Sequence, residues 1–324
     1  MRQIDREKFY KELNSLIGEY TVYAPVGDRV KKIKDTKEIK FEGLLTRFPA
    51  KEHMLPQNEE LFRWNRDKKI EVKIPDTKAI IFGIRPCDAR AIASLDPTFN
   101  TEKFPDPYYI NRRKNTIIIS IGCNNPDDTC FCTSFGSGPF DPTGSDLLVV
   151  DTGEKFLGIG KEKILDMFGF EEGNDGGEFE ALKKKAEGKI ERINLAGIKD
   201  KLDSLKETDF FKKISYKCIN CGACTFLCPT CYCFDIEDME RIDGGKRVRI
   251  WDSCMFTIYT QETSGHNPRK QEERRMRQRI MHKFNYYPFL YDIFGCVGCG
   301  RCISYCPVNF DIRNVLKTIG GMDE

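Results

Sequence analysis

At 324 residues the chain is long enough for two domains and a sizeable core. Its 52 basic and 50 acidic residues leave a formal charge of +2, which gives no electrostatic case for binding nucleic acid or a membrane surface. Fifteen cysteines in a chain of this length do not suit a secreted disulfide scaffold, and their odd number fits one poorly; metal ligation in a reducing compartment accounts for them better.

The first residues, Met1 to Glu7, are charged and lack a signal-peptide core. No apolar run approaches the roughly 20 residues needed to cross a bilayer, so a cytoplasmic protein without a membrane span is the expectation. Asp5 to Ile17 reads as an amphipathic helix with Asp5 as its cap and Phe9, Leu13, Leu16 and Ile17 inward. Gly18 ends it. Short strands follow at Tyr20–Ala24, Val30–Ile33 and Ile39–Phe41. The stretch from Leu44 to Phe62, broken by Pro49 and Pro56, is read as irregular and then helical from about Asn58, with His53 a surface residue.

From Ala79 the pattern is that of an α/β unit. Ala79–Ile84 is an apolar strand, Arg85-Pro86-Cys87 a turn, and Asp88–Leu95 a helix favoured by the acidic Asp88 near its start. Ile117–Ile121 is a second strand running into Gly122-Cys123, and Leu147–Val150 a third. Loops at the carboxyl ends of such strands converge, which puts Cys87 and Cys123 at one sheet edge. With Cys130 and Cys132 in the following loop, four thiols can meet there. Three readings remain open for them: a [4Fe–4S] cluster, a tetrahedral zinc, or buried free cysteines. Gly136-Ser137-Gly138 and Gly158-Ile159-Gly160 lack the strand–GxGxxG–helix context of a dinucleotide site and are read as having a turn or packing role. Lys161–Met167, Phe179–Glu187, Ala196–Leu205 and Phe210–Lys213 are helical, with an acidic, glycine-rich loop at Glu171–Gly177.

The last third carries the strongest signal. Cys218, Cys221, Cys224 and Cys228, followed by Pro229, stand at C-x2-C-x2-C-x3-C-P, and Cys296, Cys299, Cys302, Cys306 and Pro307 repeat the spacing. A tight loop aims three thiolates at three corners of a cubane, and the fourth cysteine serves the other cluster. The expected ligands are therefore Cys218, Cys221, Cys224 and Cys306 for one [4Fe–4S] cluster, and Cys228, Cys296, Cys299 and Cys302 for the second. Crossed ligation ties together motifs separated by the 67 residues between Cys228 and Cys296. Zinc knuckles are the competing reading, but zinc sites favour paired CxxC units or histidines. Cys231, Cys233 and Cys254 are extra thiols, read as buried around the clusters or as alternate ligands. Arg247–Trp251 is a strand. In Lys270–Lys283, Met276, Ile280, Met281 and Phe284 recur at helical intervals, and Arg274, Arg275, Arg277 and Arg279 form either a solvated face or a charge facing an acidic partner or the anionic clusters. His282 is read as a packing residue.

The fold class that results is α/β: an N-terminal mixed α/β domain over 1–210 carrying the irregular cysteine site, then a mostly helical dicluster ferredoxin-like domain over 211–324 with an insertion between its cysteine motifs. No Ser-His-Asp constellation is present and histidine occurs three times, so no residue is assigned a catalytic role. Two rival readings stay open: a self-contained reductase whose substrate binds the irregular cysteine site, and a zinc-stabilised structural subunit.

Gly83-Ile84-Arg85-Pro86-Cys87-Asp88, Gly122-Cys123-Asn124-Asn125 through Cys130-Phe131-Cys132, the Cys218 signature, Trp251-Asp252-Ser253-Cys254 and Gly265-His266-Asn267-Pro268-Arg269 together resemble one family, the beta subunits of cytoplasmic sulfhydrogenases and the A subunits of anaerobic sulfite reductases. The resemblance extends from about residue 45 onward and is tightest around Cys87–Gly138 and in the last third. It implies an iron–sulfur electron-transfer subunit with three cubane clusters, the third on Cys87, Cys123, Cys130 and Cys132. The implied partners are a flavoprotein subunit that carries FAD and an NAD(P) site, and a catalytic metal subunit of hydrogenase or sulfite reductase type.

Overall fold

The apolar runs Ala79–Ile84 and Thr116–Ile121 pair in parallel at the middle of a mixed sheet in the computed structural model, which describes residues 1–41, 45–67 and 69–322. Every residue of Ala79–Ile84 is buried, as expected of a strand covered on both faces. Among the described residues the sheet has nine strands. Its main path runs Glu171–Glu172, Arg2–Asp5, Lys155–Gly160, Leu147–Asp151, Thr116–Ile121, Ala79–Ile84, Thr21–Gly27 and Arg29–Lys32, with Lys40–Phe41 beside Thr21–Gly27. Leu147 and Val149 point into one core, Leu148 and Val150 into another, so successive residues serve opposite faces.

The helix Arg6–Ser15 covers one face. Asp5 caps it by accepting a hydrogen bond from the Lys8 amide, and its Phe9 ring stacks on Phe168 at 4.8 Å and meets Phe156 at 5.2 Å and Phe82 at 5.4 Å. Phe9, Phe82, Phe156 and Phe168 are all fully buried. His53, expected at the surface, is instead packed 4.2 Å from the Tyr23 ring and donates through Nε2 to the Val30 carbonyl at 3.2 Å.

The chain folds as two units, the first from Met1–Met54, Pro75–Arg192 and Val297–Cys299, the second from Leu55–Ile74, Ile193–Cys296 and Gly300–Glu324. This differs from a single cut at residue 210 in three places, the first being residues 193–210, which fall in the second unit. Residues 55–74 belong to the second unit because Asn58–Asn65 is a strand, not the expected helix start. It pairs antiparallel with Gly244–Trp251, and the four-stranded sheet runs Phe234–Arg241, Gly244–Trp251, Asn58–Asn65, Ile70–Val72. Pairing partners some 190 positions away decide that conformation, and local periodicity does not register them. The third is the short turn Val297–Cys299. Outside its sheet the second unit is helical, with Ile198–Leu205, Phe210–Ser215, Glu272–Met281 and Ile312–Gly320 as its longer helices.

Arg249 on the central strand of that sheet donates through Nε to Glu59 at 3.1 Å, and its Nη2 also faces Glu59; both side chains are under a tenth exposed. Removing one partner strands a buried charge, so Arg249→Met should lower unfolding stability by about 3–5 kcal/mol, and the double change Arg249→Met with Glu59→Leu should recover most of it. Denaturant titration of the two variants checks this. Burial holds the His53 imidazole down at about 4, against 6.5 for an exposed histidine, and its bond to Val30 only partly offsets that. The unfolded chain therefore binds the proton first as pH falls. Stability should be intact above pH 6.5 and decline toward pH 4 by at most about 3 kcal/mol from this group, a slope that His53→Gln should flatten.

Candidate metal centres

Each ferredoxin-type signature is built the same way. Asn220 and Gly298, two positions after the first cysteine of each copy, take left-handed φ values of 55° and 65°. Gly222 and Gly300, at φ 74° and 77°, then start the single-turn helices Ala223–Phe226 and Arg301–Ser304. These left-handed turns fold the backbone back so that cysteines three apart can face one point. Cys218, Cys221, Cys224 and Cys306 line one cavity of about 410 Å³, joined by Cys302 from the second signature. The Asn220 amide donates to Cys218 Sγ at 3.5 Å and the Phe310 amide to Cys306 Sγ at 3.2 Å; burial pushes the Cys218 thiol up, and the Asn220 bond only partly offsets it.

Trp251-Asp252-Ser253-Cys254 braces this cavity. Ser253, fully buried, shares a 2.7 Å hydrogen bond with Thr225 on the first single-turn helix and accepts from the Met255 amide at 3.1 Å. Cys254 and Cys233 form a hydrogen-bonded pair with the Tyr259 hydroxyl at Cys233; that bond, then burial, pushes the Cys254 thiol far up.

The helix Glu272–Met281 brings two cations to the cysteines. Arg279 lines the first cavity, is 2% exposed, and has Nε, Nη1 and Nη2 all without a hydrogen-bond partner. An isolated buried guanidinium is too costly to stand unless a negative group faces it. Burial alone would pull Arg279 down, but the sulfurs of Cys224, Cys302, Cys231 and Cys228 outweigh it and keep it charged. The cavity is thus shaped for an anion held by four thiolates, and a [4Fe–4S] cluster with four cysteinyl ligands has that charge. Of the two expectations for the arginines, the solvated face holds for Arg274 and fails for Arg279.

Past Met281 the helix widens into a π turn at His282–Tyr286, which re-aims the side chains it carries. Lys283 is buried there and donates to Cys228 Sγ at 3.2 Å, Thr230 Oγ1 at 3.1 Å and the Gly295 carbonyl at 2.8 Å. Burial opposes its charge, and Cys228, Cys231 and Cys296 restore it. His282 packs among Tyr232 and Tyr287, in agreement with a packing role. Of the second expected set, Cys228, Cys296 and Cys302 lie in the second unit and Cys299 in the first.

In the first unit Ile84 pairs beside Ser120, so the loops after the two strands leave the same sheet edge. Arg85 Nη1 donates to the Gly122 carbonyl at 2.7 Å and joins them. Cys87 sits in the first turn of the helix Pro86–Phe99, where the helix dipole favours a thiolate; Arg85 is the cap, and Asp88 lies buried in the same turn. Cys87, Cys123, Cys130 and Cys132 line a single cavity of about 320 Å³, together with Cys299. All five are under a tenth exposed. Burial, then Cys123, pushes the Cys130 thiol up to about 12 and raises Cys132 as well, so a metal binding here must displace protons. Cys299 packs against Cys87, Ala91 and Val297. The Phe131 amide donates to the Gly298 carbonyl at 2.8 Å, and a β-carbon on Gly298 would lie 2.5 Å from the Cys132 nitrogen.

Sequence reasoning did not find the individual roles of Arg279 and Lys283. The signal was their four-residue spacing among Met276, Ile280 and Phe284, which puts both cations on the buried side.

Residues 217–310 match the 4Fe-4S dicluster domain family, which supports two [4Fe–4S] clusters. Over 333 aligned residues the chain is 32% identical to sulfhydrogenase 2 subunit beta of Pyrococcus furiosus (strain ATCC 43587 / DSM 3638 / JCM 8422 / Vc1), spanning 98% of this chain and 97% of that one. No solved structure matches it.

Lys283→Met deletes three donor bonds at Cys228, Thr230 and Gly295. It should cost about 2–4 kcal/mol of stability, because each donor belongs to a charged, buried group. It should also speed iron loss to a chelator. Anaerobic denaturation and chelator kinetics on the variant test both, with Lys283→Arg as the charge-retaining comparison.

Proposed function

This chain belongs to the sulfhydrogenase beta-subunit family, and from that premise we propose that it is the non-catalytic electron-relay subunit of a multisubunit cytoplasmic oxidoreductase, working between a flavoprotein with FAD and an NAD(P) site and a catalytic metal subunit of hydrogenase or sulfite reductase type. An iron–sulfur electron-transfer role in an oxidoreductase complex follows from the family and the dicluster domain; the partners and the third centre are the added steps. Among the described residues no helix is long and apolar enough to cross a membrane. Fifteen cysteines without a disulfide among them fit a reducing compartment.

We assign Cys218, Cys221, Cys224 and Cys306 to one [4Fe–4S] cluster, Cys228, Cys296, Cys299 and Cys302 to a second, and Cys87, Cys123, Cys130 and Cys132 to a third. When bound, such clusters supply reversible one-electron storage. The protein's part is to hold the thiolates in place, keep water off them and set the surrounding charge. Arg279 and Lys283 offset negative charge at buried sulfur, while the Asn220 and Phe310 amides donate to it.

The observation that carries a relay, in preference to separate structural centres, is the position of the second signature. Its Cys302 lines the cavity of the first set and its Cys299 lines the cavity of the third. A signature with one cysteine in each cavity supports a second cluster that exchanges electrons with both. Neither cavity needs a proton donor or nucleophile for this work. The relay predicts about twelve irons and twelve acid-labile sulfides per chain in anaerobically purified protein. Cys123→Ser should bring both to about eight and leave the paramagnetic signals of the ferredoxin pair in place; eight in the unaltered protein would remove the third centre from the scheme.

A further inference from the structure

We propose that Arg279 sets the reduction potential of the first cluster, raising it by holding a fixed, unscreened positive charge against the cavity of Cys218, Cys221, Cys224 and Cys306; this rests on the assignment of those four thiolates to a cluster. The case is one of elimination along the helix. Arg275 is also buried, but its Nη1 donates to the carbonyls of Arg269 at 3.0 Å and Lys270 at 2.5 Å. Arg277 donates to the Lys206 carbonyl at 2.9 Å and faces Glu207 at 3.5 Å. Lys283 is committed to Cys228, Thr230 and Gly295. Among the described residues Arg279 alone of these has no hydrogen-bonded nitrogen and no carboxylate ion-paired to it. It lines the cavity together with Met276 and Phe310, and the Phe310 ring lies 6.0 Å from its guanidinium. The cavity is the place left for a counter-charge.

Reduction adds one electron to the cluster. No bond is made or broken, no proton moves, and Arg279 keeps its charge in both states. The negative charge facing the guanidinium therefore grows by one on reduction, and the interaction is stronger with the reduced form. Buried charges are little screened by salt, so the effect should persist at high ionic strength. Arg279 is a positioning residue here, acting on the cluster through space and not as one of its ligands.

The test is a dithionite titration of the full chain followed by electron paramagnetic resonance, on the unaltered protein, Arg279→Gln and Arg279→Lys, each with iron and sulfide analysis. The first-cluster signal is identified by its perturbation in Cys221→Ser. Arg279→Gln should lower the reduction equilibrium constant of that signal at least tenfold, 59 mV for one electron, and shift the second signal, whose Cys228 and Cys302 also face Arg279, by a smaller factor. Arg279→Lys should stay within threefold of the unaltered protein. Full cluster content with an unmoved potential in Arg279→Gln overturns the proposal, as does an equal shift in Arg279→Lys, which would make the role one of shape. Should Arg279→Gln fail to load iron, hyperfine spectroscopy of unaltered protein labelled with ¹⁵N-arginine decides: coupling to the first-cluster signal is expected, and its absence overturns the proposal. Unaltered protein without iron or sulfide would instead remove the cluster reading beneath it.

Discussion

Positive charge without water is the constraint around which the second unit is arranged. Arg279 and Lys283 lie one helical turn apart on a segment otherwise packed through Met276, Ile280, Met281 and Phe284. Among the described residues neither has a carboxylate partner in an ion pair; Lys283 finds sulfur, a hydroxyl and a carbonyl, and Arg279 finds the open side of a cysteine-lined cavity. In an ordinary core such a pair would cost several kcal/mol. The fold therefore makes sense as a receptacle for anions, and the single-turn helices, the buried Ser253–Thr225 bond and the π turn at His282–Tyr286 all serve to hold sulfur and cation in register.

The first unit solves a different problem with more familiar parts. A parallel pair of apolar strands sends two loops off one sheet edge, and those loops deliver Cys87 and Cys123, while the excursion through Cys130 and Cys132 closes the ring of thiols. Because burial raises the Cys130 and Cys132 thiols, a metal bound there would have to displace their protons.

Much of this was legible in the residues. The two ferredoxin-type runs, the strand at Ala79–Ile84 and the capped helix after Asp5 are local patterns, written within a dozen positions, and the structure realises them with small shifts of boundary. What escaped reading depends on partners remote in the chain. Asn58–Asn65 is a strand because Gly244–Trp251 lies beside it; His53 is half-buried because it packs on Tyr23 and bonds to Val30. An arginine in a basic helix looks solvated until the packing shows that two of four neighbouring arginines, Arg275 and Arg279, turn inward. The extra cysteines show the same limit: Cys233 and Cys254 pair across a hairpin whose course the sequence around either one does not disclose.

Gly298 has a reach beyond its own turn. Its carbonyl accepts from the Phe131 amide, and its α-carbon stands so close to the Cys132 backbone that no side chain fits between them. A methyl group at this position would force the Val297–Cys299 turn away from the Phe131–Cys132 backbone while leaving every cysteine in the chain. A residue that offers no side chain thus sets how near Cys299 can stand to Cys132 in the cavity they both line.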